Sequence, residues 1–214
     1  HYDEKRQEVI GRYVITRFGY DWSRGRLDLA AHPFTTQFGQ GDVRITTRYL
    51  DDDAGSALFS TMHEAGHAMY AQGVPAKYRR HPLSGAASLA IHESQSRLWE
   101  NLVGRSKEFW TFLYPSMQML FPEYLSDISM KDFYRGINKV QPSFIRVEAD
   151  EATYNMHIML RLEIEIGLME GAMEVADLPE IWNTKMEDYL GITPPNNAQG
   201  VLQDVHWSSG MIGY

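Results

Sequence analysis

Apolar residues recur at helical spacing along most of this chain. Between residues 3 and 18 they lie three and four positions apart, which is typical of an amphipathic helix that ends near Gly19. Further helices are predicted downstream, and Phe121-Pro122 and Gly191 mark two of the breaks between them. These predicted helices cover residues 54–71, 89–103, 106–120, 129–137, 148–173 and 178–190.

One segment has the alternating pattern of a strand instead. Residues 42–49 alternate between polar and apolar positions and are rich in β-branched side chains. The preceding residues 20–41 are rich in Gly, Pro, Thr and Gln and are predicted to form an ordered loop. The pattern as a whole predicts one mainly α domain over residues 1–214, with a small β-sheet.

Composition narrows the chemistry that the chain can carry. Its 28 acidic residues outnumber 20 Lys and Arg, and the net charge of −8 argues against a nucleic-acid partner. No segment approaches the roughly 18 consecutive apolar residues of a membrane span, so no membrane partner is expected. The chain has no cysteine, which excludes disulfides and Cys nucleophiles. A bound metal would therefore need His, Asp and Glu ligands.

The strongest chemical signal is an H-E-x-x-H motif in the second predicted helix, His63-Glu64-Ala65-Gly66-His67. The two histidines are one turn apart on one face, so both imidazoles can reach the same ion. Glu64 is rotated by about 100° from His63, which places it where it can accept a proton from water. Small Ala65 and Gly66 allow another element to approach closely. The alternative is a pair of buried, hydrogen-bonded histidines that bind no metal.

A third ligand has to come from elsewhere in the chain. Glu93 on the next predicted helix completes a two-histidine, one-glutamate set that leaves a fourth position for water. His92 and His81 are the competing candidates. Glu100, two turns after Glu93, is a candidate for a contact behind the ligands, although it also fits a solvated charge.

Two arginines are candidates for binding a substrate carboxylate, because the guanidinium fork can hold both oxygens. Arg146 and Asp150 are four residues apart in a predicted helix and can pair, either at the surface or in a cleft. Asp42, Arg44 and Thr46 lie on one face of the predicted strand, which is either solvated or part of a cleft.

Polar and aromatic residues are also concentrated near the end of the chain. Gln203, Asp204, His206 and Trp207 lie close together, which is unusual for a solvated tail. His206 is predicted to lie near a developing oxyanion, with Asp204 holding its tautomer. His32 lies in a loop and is by default a structural histidine.

Taken together, these motifs resemble the M32 family of metallocarboxypeptidases, the thermostable carboxypeptidase group. Six motifs stand in the family's order over most of the chain. They are His32-Pro33-Phe34, Asp42-x-Arg44-x-Thr46, His63-Glu64-Ala65-Gly66-His67, His92-Glu93-Ser94-Gln95, Ile145-Arg146-x-x-Ala149-Asp150 and Gly200-x-x-Gln203-Asp204-x-His206-Trp207.

The resemblance implies a helical zincin-like catalytic domain with a deep cleft and the small sheet beside it. One Zn²⁺ per chain, with Co²⁺ or Mn²⁺ as substitutes, is expected on His63, His67 and Glu93, with Glu64 as the catalytic residue. The implied reaction releases single residues, with broad specificity, from peptides that have a free C-terminus. Arg146 is favoured as the carboxylate anchor. The residues expected around the substrate are Arg146, Arg44, Asp150, His32, Gln203 and Asp204.

The chain departs from the family in length, since family members are more than twice as long. N-terminal helices that cover the cleft and a segment beyond Tyr214 are expected to be missing. Tyr214 is the candidate for a tyrosine that stabilises the transition state. The resemblance also implies a cytoplasmic homodimer. Two other functions stay open: a helical endo-oligopeptidase with the same site, and a zinc-binding fragment without activity.

Overall fold

The computed structural model describes residues 1–203 and 205–213. The chain is mainly helical with one three-stranded sheet, as the sequence predicts, and it divides into two compact units, His1–Ile137 and Asn138–Tyr214. The first unit contains α1 (Glu4–Phe18), β1 (Leu27–Leu29), β2 (Thr35–Gly39), β3 (Asp42–Thr47), α2 (Ala54–Gln72), α3 (Leu89–Arg97), α4 (Lys107–Leu120), α5 (Pro122–Leu125) and α6 (Met130–Ile137). The second contains α7 (Tyr154–Met169), α8 (Leu178–Leu190) and α9 (Val205–Ser208). A single domain over residues 1–214 remains a prediction.

Helix α2 is central to the first unit, and its start follows from the local sequence. Oδ1 of Asp53 accepts hydrogen bonds from the backbone N–H groups of Gly55 and Ser56, which caps the helix. One side of α2 packs against α1 and α4 in an apolar core that includes Met62 and Trp110. Among the described residues, no helix has the length and apolar character that crossing a membrane requires.

The sheet lies against α2. Strand β3 is its central strand, paired in parallel with β1 and antiparallel with β2. Val43 and Ile45 are fully buried in a cluster that includes Ala65 and Ala68 of α2. The predicted strand is thus confirmed, whereas the prediction of a loop over residues 20–41 was wrong. β1 and β2 are too short to give a clear strand pattern in the sequence, and pairing with β3 stabilises their extended conformation.

Helix α3 continues into a π-helical segment, Leu98–Val103, so the predicted helix over residues 89–103 has two geometries. Oγ of Ser88 caps its start by accepting a hydrogen bond from the N–H group of Ile91. Helix α3 packs against α2. π-Helical turns are uncommon and are frequent at functional sites. Here the π-helical segment carries Glu100.

The second unit is built on α7 and α8, whose apolar faces meet around Leu160, Ile164, Trp182 and Met186. Helix α8 has the limits that the sequence predicts. The predicted helix over residues 148–173 was wrong at both ends, because α7 covers only Tyr154–Met169.

Asp150 explains the late start of α7. Its carboxylate accepts hydrogen bonds from the backbone N–H groups of Ala152 and Thr153, at 2.9 Å each, and from the hydroxyl of Thr153 at 2.8 Å. Burial raises the pKa of Asp150, but these donors and the N–H group of Gln141 outweigh burial and the pKa is lowered. Arg146 belongs to a separate 3₁₀ turn, so it does not share a helix with Asp150 as predicted.

Candidate metal centre

Helices α2 and α3 bring the three predicted ligands together. The Nε2 atoms of His63 and His67 are 3.1 Å apart. Oε2 of Glu93 lies 3.6 Å from the first of these atoms and 3.2 Å from the second. Within the part of the chain that the structure describes, these three side chains form the group whose ligand atoms could share one metal ion.

The spacing of these atoms fits a tetrahedral ion. Zinc bonds to imidazole nitrogen and carboxylate oxygen are about 2.0–2.2 Å long, so tetrahedral ligand atoms lie about 3.3–3.6 Å apart. The three observed distances of 3.1, 3.2 and 3.6 Å scatter about that range. The donor set is also that of catalytic zinc sites, in which two histidines and one glutamate leave a position for water. The residues present therefore fit a divalent ion.

Glu100 lies behind His63 and fixes its tautomer. Oε2 of Glu100 is 2.7 Å from Nδ1 of His63. Burial raises the pKa of Glu100, but the hydrogen bond to His63 and the charge of Arg97 outweigh burial and lower it. An ionised carboxylate can only accept a hydrogen bond, so Nδ1 of His63 carries a proton. In the neutral ring, the lone pair of Nε2 then points at the position that the three ligand atoms share.

The acidic side chains around the site stabilise positive charge at its centre, whether a proton or a metal ion carries it. Burial lowers the pKa of His63, but the hydrogen bond and charge of Glu100, with the charge of Glu93, outweigh burial and raise it. Burial raises the pKa of Glu93, but the hydrogen bond from His67 and the charges of His63 and Arg97 lower it to about 2. A proton and a metal ion consequently compete for Nε2 of His63, while Glu93 stays ionised at neutral pH.

His92 lies behind His67 and outside the ligand group. Its Nδ1 is 2.7 Å from Nδ1 of His67, so His92 holds the outer nitrogen of that ring while Nε2 faces the other ligands. The other competing candidate, His81, lies in an exposed turn, where its Nδ1 accepts a hydrogen bond from the N–H group of Leu83. Of the three candidates, Glu93 is the one with an oxygen or nitrogen atom in the group.

The close approach of α2 and α3 depends on Gly66. A Cβ atom at this position would lie 2.6 Å from the carbonyl oxygen of Gln95 and 2.6 Å from Cα of Ser96. Both atoms belong to the backbone of α3, so they cannot rotate away from an added methyl group. The predicted role of a small residue here is confirmed, and the helix separation that lets Glu93 reach the histidines requires glycine.

Glu64 is buried, and strand β2 holds its carboxylate. Oγ1 of Thr35 lies 2.6 Å from Oε2 of Glu64 and 3.0 Å from its backbone oxygen. Thr35 pairs with Ile45, so its side chain is on the face of the sheet that packs against α2. A hydrogen bond to Oε2 leaves Oε1 available for proton transfer. Thr35 was not predicted as a site residue, because it lies in a segment predicted to be a loop.

The structure describes two further predicted site residues of the first unit, Arg44 and His32. Asp42 binds the guanidinium group of Arg44 with both carboxylate oxygens, at 2.8 and 2.6 Å. Alternation along β3 places Arg44 on the face opposite the one that packs against α2. His32 lies in the exposed segment between β1 and β2. Asp204 and Tyr214 lie outside the described residues.

In the second unit, Gln203 forms hydrogen bonds to the backbone of the segment that contains Arg146. Its Oε1 accepts a hydrogen bond from the N–H group of Arg146 at 2.8 Å, and its Nε2 donates one to the carbonyl oxygen of Phe144 at 2.8 Å. Nη1 of Arg146 donates to the hydroxyl of Tyr154 at 2.7 Å. The side-chain amide of Gln203 therefore fixes the backbone from which Arg146 projects.

His206 and Trp207 lie against a buried ion pair that was not predicted from the sequence. Arg161 and Glu165 on α7 are 3.1 Å apart, and their side chains are only 2% and 3% exposed. Nη1 of Arg161 is 3.3 Å from Nδ1 of His206, and Nε1 of Trp207 donates to Oε1 of Glu165 at 2.8 Å. The i, i+4 spacing on a helix was the available signal, but it is also common in exposed pairs.

The fold and these contacts define a mainly helical protein with a candidate metal-binding site of two histidines and one glutamate on neighbouring helices, the donor set of catalytic zinc in peptidases. The chain belongs to the Peptidase_M32 family, described as carboxypeptidase Taq (M32) metallopeptidase, whose family model matches residues 1–214. The resemblance that its motifs indicate is thus confirmed.

The names of similar proteins and of a similar solved structure are consistent with this family. Carboxypeptidase 1 of Bacillus subtilis (strain 168) is 49% identical over 213 residues, which are 100% of this chain and 42% of the relative. Thermostable carboxypeptidase 1 of Thermus thermophilus is also 49% identical, with the same coverage. The crystal structure of M32 carboxypeptidase from Deinococcus radiodurans R1 is 48% identical, with a TM-score of 0.96 over 99% of this chain and 43% of that one. The chain spans less than half the length of these relatives.

Proposed function

We propose that the protein containing this chain is a zinc-dependent metallocarboxypeptidase, which hydrolyses the last peptide bond of peptides and releases single amino acids with broad specificity. The observation that supports this proposal most directly is that Nε2 of His63, Nε2 of His67 and Oε2 of Glu93 lie close enough to share one ion. Family membership and the carboxypeptidase names of the relatives add to it. Nitrogen and oxygen ligands in tetrahedral spacing suit Zn²⁺, with Co²⁺ or Mn²⁺ as substitutes.

The three candidate ligands and Glu64 have separate roles in the proposed reaction. His63, His67 and Glu93 hold the ion, which when bound polarises the scissile carbonyl and makes water more acidic. Glu64 accepts a proton from the attacking water at Oε1, because Thr35 holds Oε2, and then returns it to the leaving amine.

Arg146 is proposed to bind the C-terminal carboxylate of the substrate. Gln203 fixes its backbone by accepting a hydrogen bond from its N–H group. A carboxylate held at one place allows only the last peptide bond to reach the catalytic groups. Further residues proposed to contact the substrate or the transition state are His206, Tyr214, Asp150, His32, Gln203, Asp204 and Arg44.

Amidation of the substrate should lower the rate of cleavage by about 100-fold if the enzyme is a carboxypeptidase. The amide lacks the charge that an arginine fork recognises, and hydrogen bonds to a charged group are worth up to about 3 kcal/mol, which is a rate factor of about 100. Release of the last residue would be measured for two peptides that differ only in this group, using the complete protein with zinc. Cleavage of the amidated peptide at an undiminished rate would identify an endopeptidase instead.

Arg146→Ala should raise KM for free-acid peptides by about 100-fold, for the same energetic reason. Arg146→Lys should recover only part of this loss, because an ammonium group cannot hold both oxygens in one plane. Arg44→Ala is the matched control and should change KM by much less. A KM that responds to Arg44→Ala and not to Arg146→Ala would assign the anchor to Arg44.

The proposal extends to the assembly and the location of the protein. The family resemblance implies a homodimer that acts on peptides in the cytoplasm. The net charge of −8 adds that nucleic acid is not its partner.

A further inference from the structure

Arg97 contacts two carboxylates of the metal centre. One belongs to Glu93, a candidate ligand, and the other to Glu100, which contacts the candidate ligand His63. Arg97 is the last residue of α3, and its side chain is 24% exposed. Nε of Arg97 donates a hydrogen bond to Oε1 of Glu93 at 3.2 Å, and Nη1 donates one to Oε2 of Glu100 at 2.8 Å. The motifs in the sequence assign no role to this arginine.

The contact with Glu93 decides which carboxylate oxygen faces the histidines. Arg97 holds Oε1, and Oε2 is the atom that lies 3.2 Å from Nε2 of His67. Ser96 is a second neighbour, but its hydroxyl is closer to the backbone oxygen of Glu93, at 2.6 Å, than to Oε2, at 3.2 Å. Arg97 therefore supplies a charged contact that holds Oε1 and leaves Oε2 facing the histidines.

The contact with Glu100 extends this influence to a second ligand. One oxygen atom, Oε2 of Glu100, accepts hydrogen bonds both from Arg97 and from Nδ1 of His63. Arg97 thus holds Glu100, and Glu100 orients the ring of His63. His67 is oriented in a different way, through the contact between its Nδ1 and His92.

We propose that Arg97 is a positioning residue for the metal site, because its single guanidinium group orients two of the three ligands, Glu93 directly and His63 through Glu100. This inference rests on the proposed function, which takes these side chains as ligands. Arginine suits the task because its N–H groups diverge at fixed angles within one plane. Two carboxylates are then held in a fixed relation, which the rotating ammonium group of a lysine cannot achieve.

The zinc affinity of Arg97→Met tests this proposal independently of catalysis. In a competition assay with a chelating dye on the complete protein, the Kd for zinc should rise by about 10–100-fold, as is typical when a contact behind a ligand is lost. Circular dichroism and the Tm of the metal-free protein would show that the fold is kept. Arg97→Lys should recover only part of the affinity. Arg6→Met, which removes an exposed arginine that donates to Glu123 at 2.7 Å, should leave the Kd unchanged.

A double-mutant cycle distinguishes positioning from a general loss of stability. The effects of Arg97→Met and Glu100→Gln on the Kd should be less than multiplicative, because both act on His63, whereas Arg97→Met and His92→Phe should multiply. An unchanged Kd in folded Arg97→Met overturns the proposal. If that variant does not fold, a wild-type Kd in Arg97→Lys overturns it. A wild-type protein that binds no zinc overturns both this inference and the proposed function, whereas zinc binding without hydrolysis contradicts the proposed function alone.

Discussion

Glu64→Gln is expected to lower kcat by about 10²–10⁴-fold while zinc still binds, because it removes the general base alone. The amide has the size of the carboxylate and can still accept the hydrogen bond from Thr35, but it cannot take a proton from water. Glu64 is not one of the three converging ligands, so the Kd for zinc should change only slightly. The measurements are kcat for a free-acid peptide and zinc affinity by chelator competition.

The two readouts separate the roles that Glu64 could have. Loss of zinc together with loss of turnover would make Glu64 a ligand, and full turnover would assign proton transfer to another group.

Thr35→Val should have a smaller effect on the same reaction. It removes the hydroxyl 2.6 Å from Oε2 of Glu64 and keeps the shape of the side chain. It should lower kcat by roughly tenfold, the effect of about 1.4 kcal/mol, without changing zinc affinity. Thr36→Val, on the other face of β2, is its control.

The convergence of His63, His67 and Glu93 could be predicted because its signals are mostly local. His63 and His67 are one turn apart on a helix whose start is set by Asp53, so their common face follows from the sequence alone. Glu93 required the packing of α3 on α2, and Gly66 was the sequence feature that indicated close packing. The family resemblance of the six motifs agrees with this pairing of helices.

Of the groups behind the candidate ligands, Glu100 was a candidate in the sequence, whereas Thr35 and Arg97 were not predicted. Thr35 reaches Glu64 only because β2 pairs with β3, and nothing in the composition of residues 20–41 indicates a strand. Arg97 contacts Glu93 and Glu100 at ordinary helical spacings of four and three residues, and its pattern in the sequence does not distinguish it from an exposed charge. The start of α7 was missed because Asp150 binds the nearby backbone N–H groups, which competes with helix formation.

Gly66→Ala is expected to push α3 away from α2 and so to weaken both folding and zinc binding. Overpacking usually costs about 1–3 kcal/mol. We expect a value of about 3 kcal/mol, at the upper end of that range, because the two atoms 2.6 Å from the new Cβ belong to the backbone. Glu93 is two residues before Gln95 on the helix that must move, so the Kd for zinc should rise by at least about tenfold, as when ligand orientation is lost. Urea unfolding and chelator competition measure the two effects.

Gly11→Ala is the matched control, and we expect it to act in the opposite direction. Gly11 lies inside α1, where an added Cβ would meet Cγ2 of Thr61 at 3.5 Å, an ordinary van der Waals contact with α2. Alanine favours a helix over glycine by about 0.5–1 kcal/mol, so this variant should unfold at higher urea concentration and keep its zinc affinity. If Gly66→Ala behaved like Gly11→Ala, the separation of α2 and α3 would not be what brings Glu93 to the two histidines.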